Sequence, residues 1–482
     1  MDFLRIEKIN EVYLRVDCDA SIAMELQEHF SFMVPNAKFH PLVRNKVWDG
    51  RIRLFNIMTK QIYAGLLEDI EQFCKSRNYE IEYLFDFDDR SFSVKEAEEF
   101  IKTIELPFKP YDYQIDALVQ SVRKNRGIIL SSTGSGKSLM IYLLTEFYNV
   151  DTLVICPTVS LVHQLSSDFS DYGFDSDQFV HRIMSGQEKI TDKPITISTW
   201  QSLTKMPKEY FKKFKLVIVD EVHGAKAKEM TSIMEKMTHC KFRFGFTGTL
   251  DDIPTNEMTL KGLFGSIRRV SSTKDLMEQK KLADLKIKCL TLKYSAEVRK
   301  AQKDLDYQQE MDFLVRNESR NRFIKNLALS LKRNTLVLFQ YVDKHGKELY
   351  QKLQDENQDR NIYFIHGGVD GEDREVIRKV LETEQNAILV ASMGTFSTGV
   401  NVKNIHNIIF ASPSKAKIRT LQSIGRGLRT MEGKEFMTLF DIADDLSWKS
   451  HKNYTLEHFK ERLKIYINEG FDYKIYNIDM GD

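Results

Sequence analysis

The chain predicts an α/β protein: two tandem parallel-sheet domains preceded by a small α+β N-terminal domain. The first observation is a set of short apolar runs, Gly127–Leu130, Thr152–Cys156, Ile195–Ser198, Leu216–Val219 and Phe242–Phe246, alternating with helical segments. Runs that are apolar throughout fit strands covered on both faces by helices. The second is a repeat of that pattern at Leu336–Phe339, Ile362–Ile365, Ile388–Ala391, Ile408–Ala411 and Met437–Phe440. The third is length. At 482 residues the chain exceeds one compact core and calls for about three domains.

In chain order, residues 1–95 form the small α+β accessory domain. The first 100 residues hold 13 Lys and Arg against 19 Asp and Glu, so this part is acidic. Within it, Lys38 to Arg53 carries five cations against one Asp, interleaved with Phe39 and Trp48. Arg51-Ile52-Arg53-Leu54-Phe55 alternates as a strand with one wet face does. Arg44, Lys46, Arg51 and Arg53 could track a nucleic-acid backbone while the aromatics stack on bases. A half-buried hairpin with solvated cations explains the stretch as well. The acidic run Glu80 to Glu99 reads as a solvated helix and linker. Residues 96–282 form the first sheet domain and 283–450 the second, joined by a charged, helical connection over Ala283 to Asn334. Residues 451–482 form a helical extension packed on the second domain. Thr455 caps its helix, Leu456, Phe459, Leu463, Tyr466 and Ile467 form its stripe, and Gly470 stops it.

Composition bounds the class. The chain is 42% hydrophobic and 29% charged, with net charge +1, as ordinary globular proteins are. A near-zero net charge excludes no nucleic-acid partner, because a basic groove can be balanced elsewhere. Five scattered cysteines show no zinc spacing and fit reduced thiols. No signal peptide and no run of about 20 apolar residues is evident. A soluble cytoplasmic protein with no membrane partner is expected.

Ser131 to Ser138 is the chemical centre. A glycine-rich turn between a buried strand and a helix N-terminus turns backbone N–H groups inward and gathers positive charge. Ser132, Thr133, Gly134, Ser135 and Gly136 would cradle phosphates, Lys137 would meet the β- and γ-phosphates, and Ser138 would offer its hydroxyl to Mg²⁺. Ser131 stands where such loops usually begin with glycine. A plain strand-to-helix loop would explain the glycines but not the Lys-Ser pair. Downstream, Leu216 to Val219 runs into Asp220-Glu221-Val222-His223. A parallel strand delivers ligands at its C-terminal end. There Asp220 would hold Mg²⁺ through water, Glu221 would orient the attacking water as general base, and His223 would relay the γ-phosphate state.

Together these residues resemble the DExH-box helicases and translocases of superfamily 2, and further motifs fall in that family's order. Tyr111-Asp112-Tyr113-Gln114 resembles the adenine-sensing segment, with Tyr113 and Gln114 at the base. Cys156 to Gln164 resembles motif Ia and Ser198 to Gln201 motif Ib, implying backbone contacts to nucleic acid from Pro157, Thr158 and Thr199. Phe246-Thr247-Gly248-Thr249 resembles motif III, which couples hydrolysis to domain closure. Phe339-Gln340-Tyr341 resembles motif IV and Ile365-His366-Gly367-Gly368 motif IVa, implying strand contacts from Gln340, His366 and Gly367. Thr395 to Val402 resembles motif V, implying roles for Thr395 on the strand and Gly399 at the nucleotide; Asn401 replaces a frequent Asp. Gln422 to Arg429 matches motif VI. Gln422, Arg426 and Arg429 are thereby expected at the γ-phosphate, the two arginines on one helix face across an interdomain cleft.

The resemblance spans Tyr111 to Arg429, about two-thirds of the chain. It implies two RecA-like domains and ATP with Mg²⁺ as cofactors. RNA-directed DEAD-box members carry Asp-Glu-Ala-Asp and Ser-Ala-Thr where this chain has Asp-Glu-Val-His and Thr-Gly-Thr. The latter, with Leu263-Phe264-Gly265, resembles DNA-repair translocases. The small N-terminal domain and the Leu439 to Asp445 ending are similar to recombination helicases of T-even bacteriophages. Branched double-stranded and single-stranded DNA, RNA–DNA hybrids, and recombination and replication proteins are the implied partners. The alternatives are an RNA or RNA–DNA helicase and a nucleotide-gated clamp or annealing protein.

Overall fold

The computed structural model describes residues 3–481 apart from 88–89, 185–187, 225–226, 251–252, 357–358, 400–401, 414–416 and 430–432. The chain divides into two compact units. One comprises Met1–Ser131 and Gly136–Ser271, and the other Ser132–Ser135 and Ser272–Asp482.

The first unit opens with β1 (Phe3–Lys8), β2 (Tyr13–Asp17), β3 (Ser31–Met33), β4 (Arg51–Arg53), β5 (Gln61–Tyr63) and β6 (Glu80–Tyr83). Four of them form a mixed sheet in the order β5-β2-β1-β6, while β3 and β4 pair separately. β1 and β2 alternate buried and open positions, so their apolar residues cover two helices, Ala20–His29 and Leu67–Arg77. The acidic run beginning at Glu80 therefore starts as a strand, parallel to β1, rather than as helix and linker. Its later part is the helix Val94–Thr103, closed by a Ser93–Glu96 capping box.

Next come β7 (Arg126–Ser131), β8 (Thr152–Cys156), β9 (Val180–Ile183), β10 (Ile195–Thr199), β11 (Leu216–Val219), β12 (Phe242–Thr247) and β13 (Ile267–Ser271). They make an all-parallel sheet in the order β13-β7-β12-β11-β8-β10-β9. From β7 the chain crosses past β12 and β11 to β8, so the C-terminal ends of β7, β12 and β11 lie side by side at a switch in strand order.

The N-terminal domain is fixed to this sheet by buried polar contacts. Tyr13 and Tyr63, stacked at 5.4 Å, each donate a 2.8 Å hydrogen bond to Glu235 Oε1. Arg243, fully buried, donates to the carbonyls of Glu11 at 2.8 Å and Met234 at 2.7 Å. Arg126 also donates to the Glu11 carbonyl at 2.8 Å, and burial followed by the Arg243 charge pushes its pKa down to about 10. Close approach needs glycine at two places. A Cβ on Gly65 would lie 2.1 Å from the Lys261 carbonyl, and one on Gly262 would lie 2.8 Å from the Tyr63 ring.

The second unit holds β14 (Asp284–Lys293), β15 (Thr335–Phe339), β16 (Ile362–Ile365), β17 (Ile388–Ser392), β18 (Asn407–Phe410), β19 (Phe436–Asp445) and β20 (Tyr473–Asp479). They form a second all-parallel sheet in the order β16-β17-β15-β18-β19-β14-β20. The connection expected to be helical from Ala283 thus begins with a ten-residue strand beside β19, followed by helices through Ser330. The extension after residue 450 likewise contributes β20 as well as a helix, Tyr454–Asn468.

Two buried ion pairs tie these helices to β19. Arg320 contacts Asp444 at 2.8 and 3.0 Å, and Arg462 contacts Asp441 at 2.7 Å; Tyr294 and Tyr466 donate to the same carboxylates. The last helix is capped differently from the sequence expectation. Asn453 is its N-cap residue, and Glu310 accepts from the Tyr454 and Thr455 N–H groups at 2.9 and 2.7 Å. A carboxylate from a distant helix thus replaces the local hydroxyl cap. Ile467, placed in the stripe by sequence, is exposed, whereas Arg462 is inside.

Candidate nucleotide and strand-contact site

β7 ends at Ser131, whose hydroxyl lies 3.1 Å from that of Ser271 in the core. Gly134 and Gly136 follow with φ of +89° and +78°, left-handed values that glycine tolerates, and the helix Lys137–Tyr148 begins at once. Gln114 packs against this turn. A Cβ on Gly136 would come within 2.5 Å of its Nε2, while its Oε1 accepts from the Tyr111 N–H at 2.9 Å. Tyr113 stacks on Tyr111 at 5.6 Å. The amide predicted to read a base is therefore held beside the glycine-rich loop.

A continuous polar chain leaves the loop. Lys137 Nζ is 3.2 Å from Glu221 Oε1, and Glu221 Oε2 is 3.4 Å from His223 Nδ1. His223 Nδ1 is 2.5 Å from Thr247 Oγ1, and Thr247 donates to the Thr249 carbonyl at 2.7 Å. A threonine hydroxyl has one hydrogen, already given to Thr249. Thr247 therefore accepts from His223, which fixes the imidazole proton on Nδ1. Asp220 at the end of β11 accepts from the Glu221 N–H at 2.9 Å. Glu221 itself has φ of +49°, an uncommon backbone for a residue with a Cβ. The chain thus turns sharply after β11, setting Asp220 and Glu221 at one strand end with Lys137.

The remaining residues of the first unit also sit at strand ends. Pro157 and Thr158 follow β8, and Thr158 caps the helix Val159–Asp171 by accepting from Leu161 N–H. Thr199 ends β10 and bonds Ser202 at 3.0 Å. In the accessory domain Arg44 and Lys46 are exposed and, among the described residues, have no carboxylate partner. Arg51 instead pairs with Glu28 at 2.6 Å and Arg53 with Asp49. Trp48 is half-buried and donates its indole N–H to the Arg51 carbonyl at 2.9 Å, so Phe39, 60% exposed, is the aromatic left open.

In the second unit Gln340 follows β15, with its N–H on the Ser412 hydroxyl at 3.1 Å. His366 and Gly367 follow β16, and His366 Nδ1 accepts from the Gly368 N–H at 3.0 Å. Thr395 and Gly399 lie on the helix Met393–Gly399 after β17, and Ser392 donates to the Thr395 hydroxyl at 2.7 Å. Asn401 lies outside the described residues. All these loops leave the C-terminal edge of one parallel sheet. Gln422 and Arg426 lie four apart on the helix Lys417–Gly427, but Arg429 does not share their helix. It lies beyond Gly427, in a bridge to Leu282.

One residue of this region has no counterpart among the sequence motifs. Lys434, 5% exposed, donates to the carbonyls of Gly427 at 2.5 Å, Lys403 at 2.7 Å and Arg429 at 3.0 Å. Two donors of the ammonium are used on the stretch that carries the motif VI arginines, and the third ties that stretch to Lys403. Burial, with the Arg429 charge, pushes its pKa down to about 7. A single lysine in an uncharacteristic segment gives no signal by pattern.

Two parallel-sheet units, a glycine-rich strand-to-helix loop, a carboxylate strand end and a polar chain between them fit an ATP-driven motor of the helicase class. Three family models match: "DNA helicase UvsW, N-terminal" over residues 5–84, "Type III restriction enzyme, res subunit" over 107–252 and "Helicase conserved C-terminal domain" over 319–431. The ATP-dependent DNA helicase uvsW of Enterobacteria phage T4 is 33% identical, covering 97% of this chain and 98% of the relative. The crystal structure of T4 UvsW matches with TM-score 0.53 at 32% identity, covering 100% of each chain. The DNA 3'-5' translocase XPB2 of Sulfurisphaera tokodaii is 27% identical over 66% of this chain and 78% of the relative. The DNA-bound restriction-modification enzyme LlaBIII, 16% identical with TM-score 0.57 over 84% of this chain and 34% of that one, shares the fold. The chain belongs to the UvsW family of superfamily 2 DNA helicases, and its activity is ATP-driven.

Proposed function

We propose that this helicase remodels branched DNA: it regresses forks, migrates Holliday junctions and dissociates D-loops and R-loops during recombination, replication and repair. The observation that carries the reading is the fixed seat of the accessory domain on the first sheet, through Arg243, Tyr13 and Tyr63. A basic stretch, Lys38 to Arg53, carried on a domain tied rigidly to the motor unit can hold a duplex arm in register while the motor moves a strand. A plain strand translocase has no need of that attachment.

In this reading Lys137 receives the β- and γ-phosphates, with Ser132 to Gly136 cradling them and Tyr113, Gln114 and Gly399 at the nucleoside. Ser138 and Asp220 would hold Mg²⁺. Among the described residues no group of three His, Cys, Asp or Glu side chains could cage a metal, which suits an ion that keeps waters and substrate phosphates as ligands. The ion would neutralise charge on the phosphates. Glu221, held by Lys137 at 3.2 Å, is released toward a water when the lysine turns to phosphate, and becomes the general base. His223 passes the change to Thr247 and so to motif III. Gln422, Arg426 and Arg429 stabilise the γ-phosphate charge, and Pro157, Thr158, Thr199, Gln340, His366, Gly367 and Thr395 hold the strand backbone. Arg44, Lys46, Arg51 and Arg53 contact the duplex arm. The work is done in the cytoplasm, a host's if the source is viral, beside recombination and replication proteins. Among the described residues no helix is long and apolar enough to cross a membrane.

The test is an ATPase and unwinding panel on fork, Holliday junction, D-loop, R-loop and linear substrates. Preferential turnover and remodelling of the branched DNA is expected. Stimulation by single-stranded RNA alone would instead favour an RNA helicase. Brisk hydrolysis without displacement of any strand would favour a clamp.

A further inference from the structure

The start of the β14–β20 edge carries a cluster that the motor chemistry does not use. β20 closes one side of the second sheet and, among the described residues, pairs only with β14. Lys286 and Lys288 of β14 and Lys474 of β20 share one sheet face and are exposed, beside Phe436 at 45% and Tyr476 at 41% exposure. Lys286 Nζ lies 3.8 Å from the Phe436 ring centroid, and Lys288 Nζ lies 5.5 Å from that of Phe440. Among the described residues none of the three lysines has a carboxylate within 4.0 Å; nearby Asp284 is taken by Lys280 at 2.9 Å. A cavity of about 840 Å³ runs along the start of these strands, lined by five lysines against the three carboxylates Glu278, Asp284 and Asp472.

Lysine on an edge strand discourages pairing with another chain, which accounts for Lys474. It does not account for Lys286 and Lys288, because β14 is already paired on both sides. Lys288 stands directly opposite Lys474 in register. Like charges so placed destabilise a sheet, and an anion between them would reverse the sign. A protein strand added to β20 would have to pair beside Lys474, whereas a polyanion needs only the ammonium groups. The exposed ring of Tyr476 offers a stacking face to a base. Lys286 and Lys474 stand near the starts of their strands, while the motor loops leave the opposite, C-terminal ends. A strand held here cannot be the segment that those loops hold.

We propose that this sheet edge binds the phosphodiester backbone of a nucleic-acid strand, a second contact that holds another arm of the substrate. The inference rests on the helicase reading. Its test compares the full-length protein with a Lys286→Thr, Lys288→Thr, Lys474→Thr variant, using labelled short and long single-stranded oligonucleotides and a fork. Affinity for the long strand and the fork should fall about tenfold at low salt, and the salt slope by about 2, since each single-strand phosphate neutralised contributes about 0.7. ATPase at saturating short oligonucleotide should be unchanged, and Tm unchanged or raised as the Lys288–Lys474 repulsion is removed. A long strand bearing 5-iodouracil should photo-crosslink to the peptide containing Tyr476. Unchanged affinity and slope in the folded variant would overturn the proposal, as would loss of self-association or of a protein partner in place of strand binding. If the triple variant melts early, its Lys→Arg counterpart and Tyr476→Ala decide. Retained affinity in the first and a weaker crosslink in the second support the site, and crosslinks confined to the motor loops refute it. Wild-type protein with no DNA-stimulated ATPase would sink the helicase reading separately.

Discussion

Glu221 carries two constraints at once: a left-handed backbone at φ +49° and a carboxylate shared between Lys137 and His223. Replacing it by Gln keeps the shape and removes only the charge and the basicity. Glu221→Gln should lower DNA-stimulated kcat by about 10² to 10⁴, the usual worth of a general base, with nucleotide binding kept. Lys137→Ala should abolish turnover and weaken ATP binding. Steady-state ATPase and a nucleotide titration check both, and full turnover in either variant would remove the assigned role. Under the proposed reading, Lys434 would act at one remove from the phosphate. Its ammonium ties two carbonyls of the segment that carries Arg426 and Arg429, those of Gly427 and Arg429, to the Lys403 carbonyl before β18, and each carbonyl left bare costs about 1 to 3 kcal/mol. Lys434→Met should therefore lower kcat about tenfold while leaving the KM for DNA unchanged. In a background of Arg429→Ala it should cost little more, because both changes remove the same placement. Additive losses in that cycle would make Lys434 structural only.

At the scale of elements, the motor strands were legible because burial on both faces leaves apolar runs, as in Thr152–Cys156 and Leu216–Val219. The strands that escaped carry charge. β13 reads Ile-Arg-Arg-Val-Ser and β14 reads Asp-Leu-Lys-Ile-Lys at its start, so both look like loop or helix surface. β14 nonetheless lies between two strands, because only one of its faces is covered at that end. The cap of the final helix was illegible for another reason: its acceptor, Glu310, lies far away in sequence. The glycine-rich strand-to-helix loop and the carboxylate strand end were legible as spacing, whereas the His223–Thr247 contact needed coordinates. Packing also conceals a titration. His345, at 0% exposure, is held between Ser412 at 3.1 Å and Asn321 at 3.2 Å, and burial together with the Arg320 charge pushes its pKa down to about 3. The folded value lies below the unfolded one of about 6.5, so the unfolded chain takes up the proton first. The stability that neutral His345 contributes is full above pH about 6.5 and is lost as pH falls from there toward 3. The loss is about 1.4 kcal/mol per pH unit. His406, pushed down to about 4, adds to the slope in the same direction. In urea melts from pH 7 to 5, His345→Gln should show a shallower acid limb than wild type. An identical slope would mean that His345 is protonated in the fold.

For the molecule as a whole, the accessory domain is best probed without removing it. Its deletion would strip the Glu11 carbonyl from Arg126 and Arg243 and bare the Tyr63 seat on Gly262. A buried guanidinium left without its acceptor costs several kcal/mol, so a truncated chain would lose stability together with any grip on the strand. Point changes separate the two effects. Arg51 and Arg53 already neutralise Glu28 and Asp49, so their charge is partly spent within the protein. Arg44 and Lys46 are exposed, have no such partners among the described residues, and should carry most of the binding. Arg44→Ala with Lys46→Ala should weaken fork and Holliday-junction binding several-fold at low salt. The slope of log K against log salt should become shallower by about 2, near 0.9 for each duplex phosphate no longer neutralised. Thermal stability and ATPase on single strands should not change, because neither side chain enters a core or the nucleotide site. Fluorescence anisotropy at several salt concentrations reads the slope directly. If the double variant binds junctions with the wild-type slope, the basic stretch is only a solvated hairpin, and the duplex arm must be held elsewhere on the motor.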